Sequence, residues 1–268
     1  LVKDVEAEDV FIPEEFDEET NMIVDTIEAF LETEIFPNLE RIDDQEEGLM
    51  RELINKAGEL GLLGIAVPEE YEGFDQSFLT TMKTNESVGA AYSYSVAYMA
   101  HTGIGTMPLM YYGNEEQKQR YLPKLASGEM AGAYCLTEPN AGSDANAGKT
   151  NAVLSEDGKH YILNGQKMWI TNAGFANLLT VFAKIDNDRV LSAFLVEANS
   201  EGIVLNPEEK KLGIKGSSTR QIFFNDVKVP VENLLGQRGG GYRIALNILH
   251  LGSIKLGANV IGSAKKTI

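Results

Sequence analysis

The sequence predicts an α+β protein of more than one domain, on three observations. Apolar residues recur at helical spacing as far as about residue 130. From Ala131 the pattern changes to short β-rich segments separated by turn signals, with no helices between them. After "GQRGGG" the helical period returns. Consecutive short strands without intervening helices imply an antiparallel barrel or sandwich and not a parallel sheet. The expected boundaries are an all-helical N-terminal domain over 1–130, a β domain over 131–236 and the start of a second helical unit over 237–268.

Taken in order, Ile23, Ile27, Phe30 and Leu31 fall on one helix face, and Leu49, Leu53, Ala57 and Leu60 on another that Gly61 ends. "VPEEYEGFDQS" reads as a loop, with Ser77 as cap of the helix after it. "SVGAAYSYSVAYMAHTGIG" carries little charge and reads as one helix buried on most sides or lining a pocket. Asn114 and Gln117 form a capping box, and Pro123 is expected to kink or end the helix that follows. The strands are "AGAYCLTEP", "TNAVLS", "KHYILNGQKMWIT", "LLTVFAKI", "RVLSAFLVEA" and "RQIFFNDVKVP", with turns expected at Asp157-Gly158, Asn164-Gly165 and Asp186-Asn187. In the last segment Ile244, Ile248, Leu251, Leu256 and Val260 keep helical spacing up to Ile268. So broad an apolar face must be buried, and further residues or another chain are the expected cover, which makes an incomplete protein the expectation.

The net charge of −17 is concentrated at one end: residues 1–48 hold 18 acids and 2 bases. The remainder is nearly balanced, so a nucleic-acid binder, which needs clustered positive charge, is not expected. The acidic arm reads as solvated surface. No run of about 20 apolar residues suggests a membrane span. The single Cys135 excludes an internal disulfide framework and points to a reducing compartment. His101, His160 and His250 are far apart and lack ligand spacing, so no metal site is expected.

"GSDANAGKT" at residues 142–150 comes close to the phosphate-cradling loop of nucleotide hydrolases, which has four residues between its glycines. Here five separate Gly142 from Gly148, and strands follow in place of the helix that would hold the phosphates. The glycine-rich turn of a dinucleotide-binding Rossmann domain is also absent.

"YCLTEPNAGSD" followed by "NGQKMWITNAG" is more specific. With "GIKGSSTRQIFFNDVKVPVENLLG", these segments resemble the amino-terminal and middle portions of the acyl-CoA dehydrogenases over nearly the whole chain. The resemblance implies a helical first domain, a β-barrel middle domain, the first helix of a truncated C-terminal helical domain, and FAD as cofactor. It places Tyr134, Leu136 and Thr137 along the flavin ring, Gly142 and Ser143 at the pyrophosphate, and Trp169, Ile170 and Thr171 against the isoalloxazine. Ser143 is also the expected contact to the CoA portion of the substrate. These residue types fit such a cofactor, since small residues let backbone N–H groups approach an anion, and an aromatic cover keeps water from a flavin.

The implied reaction is α,β-dehydrogenation of a fatty acyl-CoA, with electrons passed to an electron-transfer flavoprotein. The resemblance also implies a homodimer or homotetramer, in a bacterial cytoplasm or mitochondrial matrix, with the cytoplasm preferred. The catalytic glutamate is expected beyond residue 268, so no catalytic residue is assigned; Glu138 is expected to hold the loop before Pro139. Ser253 stands where the family pattern has Arg. "GIKGSSTRQIFFNDVKVP" is most similar to the long- and very-long-chain branch. The competing readings are an acyl-CoA oxidase on the same scaffold and a non-catalytic truncation that binds acyl-CoA or a partner and holds FAD weakly.

Overall fold

The computed structural model describes Glu6, Ile12 and residues 15–268. Part of the acidic arm therefore lies outside the described residues; its described acids are exposed or half-exposed, as a solvated surface requires.

The first helix, α1 (Glu18–Phe30), starts where the Asp17 carboxylate accepts from the Thr20 N–H at 2.7 Å. It buries Ile27 and Phe30, then loosens through a wide turn at Leu31–Ile35 and, with Pro37, a tight one at Phe36–Asn38. Next come α2 (Leu39–Asp43) and α3 (Leu49–Glu59), which buries Leu49, Leu53 and Ala57. Leu60 is exposed at its end, and Gly61 takes the left-handed conformation that stops it.

Ser77 caps α4 (Phe78–Val88) by accepting from the Thr80 N–H. The long buried helix expected around Val88–Gly105 is not continuous. A tight turn at Gly89–Ala91 and a positive φ of 48° at Tyr92 separate α4 from α5 (Tyr92–Ala100), and a wide turn at His101–Gly105 leads into α6 (Met107–Tyr112). The capping box of α7 (Glu115–Ala126) is formed. Pro123 does not end this helix, which runs three residues further.

The strands are β1 (Gly132–Cys135), β2 (Asn151–Leu154), β3 (His160–Thr171), β4 (Leu178–Ile185), β5 (Ser192–Glu197), β6 (Ile203–Leu205), β7 (Thr219–Pro230) and β8 (Leu234–Leu235). They form one sheet in the order β6-β7-β3-β2-β4-β5-β8, with β1 beside β4. The expected antiparallel barrel is corrected on two counts. Among the described residues no ladder joins β6 to β8, so the sheet is open. Both β1 and β2 run parallel to β4. Parallel pairing joins strands that no hairpin connects, a geometry that reasoning from short turns does not anticipate.

Asn164-Gly165 is not a turn either: it lies inside β3. There Gly165 (φ 147°) faces Thr150 so closely that a Cβ would stand 2.6 Å from the threonine hydroxyl. Its glycine serves a strand irregularity and close approach. The β3–β7 ladder contains two compensating bulges. Asp226 (φ 51°) marks an extra residue on β7 between the Leu163 and Gly165 pairings, and Trp169 (φ 57°) marks one on β3 between Lys167 and Ile170.

The final helix, α8 (Gly241–Thr267), buries Ile244, Ala245 and Ile248 against the sheet side of the core. Its second half differs from expectation: Leu256 and Val260 are exposed, and the inward residues are Lys255, Asn259 and Gly262. The cause is close backbone contact with α4. A Cβ on Gly262 would lie 1.7 Å from the Glu86 carbonyl oxygen, and one on Gly89 2.1 Å from that of Asn259. By length and composition α8 could cross a membrane; in this fold its first half packs Ile244, Ala245 and Ile248 into the core, while Leu256, Val260 and Ile261 are exposed.

Candidate functional site

The segments singled out by the sequence converge where β1 ends beside β3. Beyond Cys135 the chain crosses β3 without a ladder, held by two bonds. The Met168 N–H donates to the Thr137 carbonyl at 2.8 Å, and the Lys167 ammonium donates to the Leu136 carbonyl at 3.1 Å. Glu138 then closes a reverse turn by exchanging backbone bonds with Ala141, and the loop proceeds through Gly142 and Ser143 to β2.

Trp169 sits on the bulge. Regular alternation along β3 would put residue 169 on the inward face with Leu163 and Lys167. The extra residue shifts the phase, so Ile170 takes the inward place, 2% exposed, and the Trp169 indole stands 62% exposed. A large aromatic with φ of 57° is costly in backbone and in hydration, and strain of this kind collects at binding sites.

The remaining predicted residues divide by what they can offer. Thr137 and Thr171 are half-buried, with side-chain hydroxyls that bond to no other described residue. Gly142 and Ser143 are exposed, and among the described residues no acceptor takes the N–H of Gly142, Ser143 or Asp144. A Cβ added to Gly142 would meet nothing within 4 Å, so the chain itself does not require glycine there, and the space is open to a ligand. Tyr134 faces the core: its ring lies 4.9 Å from Phe182 and its hydroxyl donates to the Ala245 carbonyl. Leu136 and Ile170 are buried and present backbone only.

Lys167 was missed by sequence reasoning. Its Nζ lies 2.7 Å from Glu138 Oε1, with both side chains buried. Its signal was a lysine at an inward position of an alternating strand. Glu138 also accepts from the N–H groups of Lys149 (2.6 Å) and Thr150 (3.1 Å). Burial pushes its pKa up, but Lys167 and these donors outweigh burial and hold it below the usual carboxylate value. Lys149 itself is exposed, and the stretch before Asn151 is not yet strand.

Cys135 is fully buried, its thiol pushed up to about 12. His101 is buried, with Nε2 against the Leu125 carbonyl and Nδ1 accepting from the Gly132 N–H. The described residues hold no cluster able to bind a metal. Ser253 is exposed and back-bonded to Leu249, while Lys255 points inward, so neither presents a cation on that face.

Comparison with known proteins gives these features a context. Residues 17–129 match the family model "Acyl-CoA dehydrogenase, N-terminal domain", and residues 133–227 match "Acyl-CoA dehydrogenase, middle domain". A "Probable acyl-CoA dehydrogenase" of Bacillus subtilis is 47% identical over the full chain, which spans 45% of that relative's length. "Probable acyl-CoA dehydrogenase YngJ", from the same organism, is 38% identical over 95% of the chain and 67% of the relative. The crystal structure of an acyl-CoA dehydrogenase complexed with FAD from Bacillus anthracis superposes with a TM-score of 0.96 at 48% identity, covering 99% of this chain and 45% of that one. The fold and these matches define a member of the flavin-dependent oxidoreductases. The chain belongs to the acyl-CoA dehydrogenase family.

Proposed function

We propose that the protein carrying this chain is an FAD-dependent acyl-CoA dehydrogenase, which introduces a double bond between Cα and Cβ of a fatty acyl-CoA thioester. The observation that carries this reading is Trp169, the single tryptophan, held exposed on a positive-φ bulge and bonded through its neighbour Met168 to Thr137. The site suits a flavin dinucleotide: an apolar aromatic plate, two hydroxyls and a loop of N–H donors that bond to no other described residue, and open space at Gly142. When bound, FAD supplies the two-electron acceptor for a hydride leaving the β-carbon.

The residues then divide the work. Trp169 covers the ring and excludes water. Thr137 and Thr171 donate to its polar edge. The N–H groups of Gly142 and Ser143 bind the pyrophosphate, and Ser143 also meets the CoA portion. Glu138 is not the base that removes the α-proton, because its carboxylate is committed to Lys167 and two backbone donors. Transfer of electrons to an electron-transfer flavoprotein, assembly as a homodimer or homotetramer, and a cytoplasmic location belong to the same proposal, which follows the similarity to bacterial relatives.

The test is anaerobic. Protein reconstituted with FAD should be yellow, and its flavin absorbance should bleach on addition of a fatty acyl-CoA. Protein that remains colourless after reconstitution overturns the proposal, and peroxide formed in air at the rate of flavin turnover would indicate an oxidase instead.

A further inference from the structure

We propose that the buried Lys167–Glu138 ion pair is a positioning device that sets the conformation of Trp169, and through it the flavin surface; the second half of this statement rests on the function proposed above. Three chain segments meet at the pair. The Lys167 ammonium bridges the Leu136 carbonyl at 3.1 Å and Glu138 Oε1 at 2.7 Å, which ties β3 to the exit of β1. The other side of the Glu138 carboxylate holds the N–H groups of Lys149 and Thr150, which ties in the entry to β2. The loop bearing Gly142 and Ser143 is thus closed at both ends by one carboxylate.

Lys167 is also the last residue in register before the bulge, pairing with Ile222, and the ladder resumes only at Ile170 with Arg220. An ordinary β3 would continue its alternation and turn residue 169 inward. The pair prevents this. With the ammonium drawn toward Leu136 and Glu138 and the Met168 N–H donating to the Thr137 carbonyl, β3 is held to the exit of β1 at this point, and the surplus residue is expelled as Trp169 between the Lys167–Ile222 and Ile170–Arg220 pairings. A salt bridge retained only for stability would have no such consequence, and buried pairs are often replaceable by apolar residues without loss of stability.

Trp169 is the only tryptophan, so its fluorescence reports the bulge directly, without cofactor or turnover. The variants are Lys167→Met, Lys167→Arg and, to remove the orphaned carboxylate charge, the double variant Lys167→Met/Glu138→Gln. Each is compared with the unchanged chain by thermal melting, acrylamide quenching of Trp169 and FAD titration. The double variant should melt cooperatively, yet its quenching constant should fall about twofold or more as the indole turns inward, and its FAD affinity should weaken about tenfold or more. Lys167→Arg, which keeps the charge, should return quenching toward the unchanged value.

A double variant that melts differently but leaves Trp169 quenching unchanged overturns the proposal, because the pair would then be structural only. So does a double variant that does not fold, since the pair would then be indispensable to the fold itself. Failure of the flavin reading appears separately: the unchanged chain would show no FAD-dependent quenching, while the cofactor-free comparison still judges the role of the pair.

Discussion

His101 is held neutral between a carbonyl acceptor and a backbone donor, and full burial lowers its pKa to about 4 from 6.5. The unfolded chain therefore binds more protons between these two values, and this contribution to stability is lost as pH falls from about 6.5 toward 4. The loss should reach on the order of 3 kcal/mol; His101→Gln should flatten that part of the stability–pH curve, measured by urea unfolding. Lys255 shows the same effect in another window. Fully buried, and among the described residues partnered only by Thr102 at 3.3 Å, it is lowered to about 8 by desolvation. Its cost develops as pH falls from about 10.5 to 8 and is complete at neutral pH. Lys255→Met should therefore raise stability at pH 7 by roughly 2–3 kcal/mol, and a decrease would show that the ammonium is better satisfied than its contacts indicate. Neither environment was legible in the sequence. A histidine in an apolar segment looks the same whether satisfied or not, and Lys255 lies on a helix whose apolar residues mark a different face.

At the scale of elements, caps and strand segments were legible because they are local. Asp157-Gly158 turns the chain, Ser77 caps α4 and Asn114 boxes α7 on chemistry contained within a few residues. What depends on a distant partner was not. Gly165 is a strand residue because Thr150 presses on it, and the buried face of the second half of α8 is polar and small because α4 touches its backbone. Gly262→Ala should force these helices apart and cost about 2–4 kcal/mol; a melting midpoint unchanged within error would contradict so close a crossing. β6 and β8, three and two residues long, carry too few positions for a period to be seen. The short helices of the N-terminal domain were hidden for a similar reason, since a positive φ at Tyr92 breaks a segment whose composition is uniformly helical in character.

For the whole molecule, the family was legible from two short segments, and the structure explains why they are constrained: one is the exit of β1 and its loop, the other the bulge on β3, and each holds the other. The closed barrel was not confirmed, because strand composition does not say whether a sheet's edges meet. The segment read as favouring a long acyl chain, residues 213–230, folds as a loop and β7, whose inward Ile222, Phe224, Val227 and Val229 fill the sheet core. Core positions of this kind report packing and not substrate length. The central claim is that Trp169 forms part of a flavin-binding surface, and it is tested most directly by titrating FAD into the protein while recording Trp169 emission. Saturable quenching that free riboflavin reproduces only weakly, and that Ser143→Pro diminishes by removing a backbone donor, is the predicted result. Emission unchanged by FAD up to about millimolar concentration, the weak end of specific binding, would contradict it.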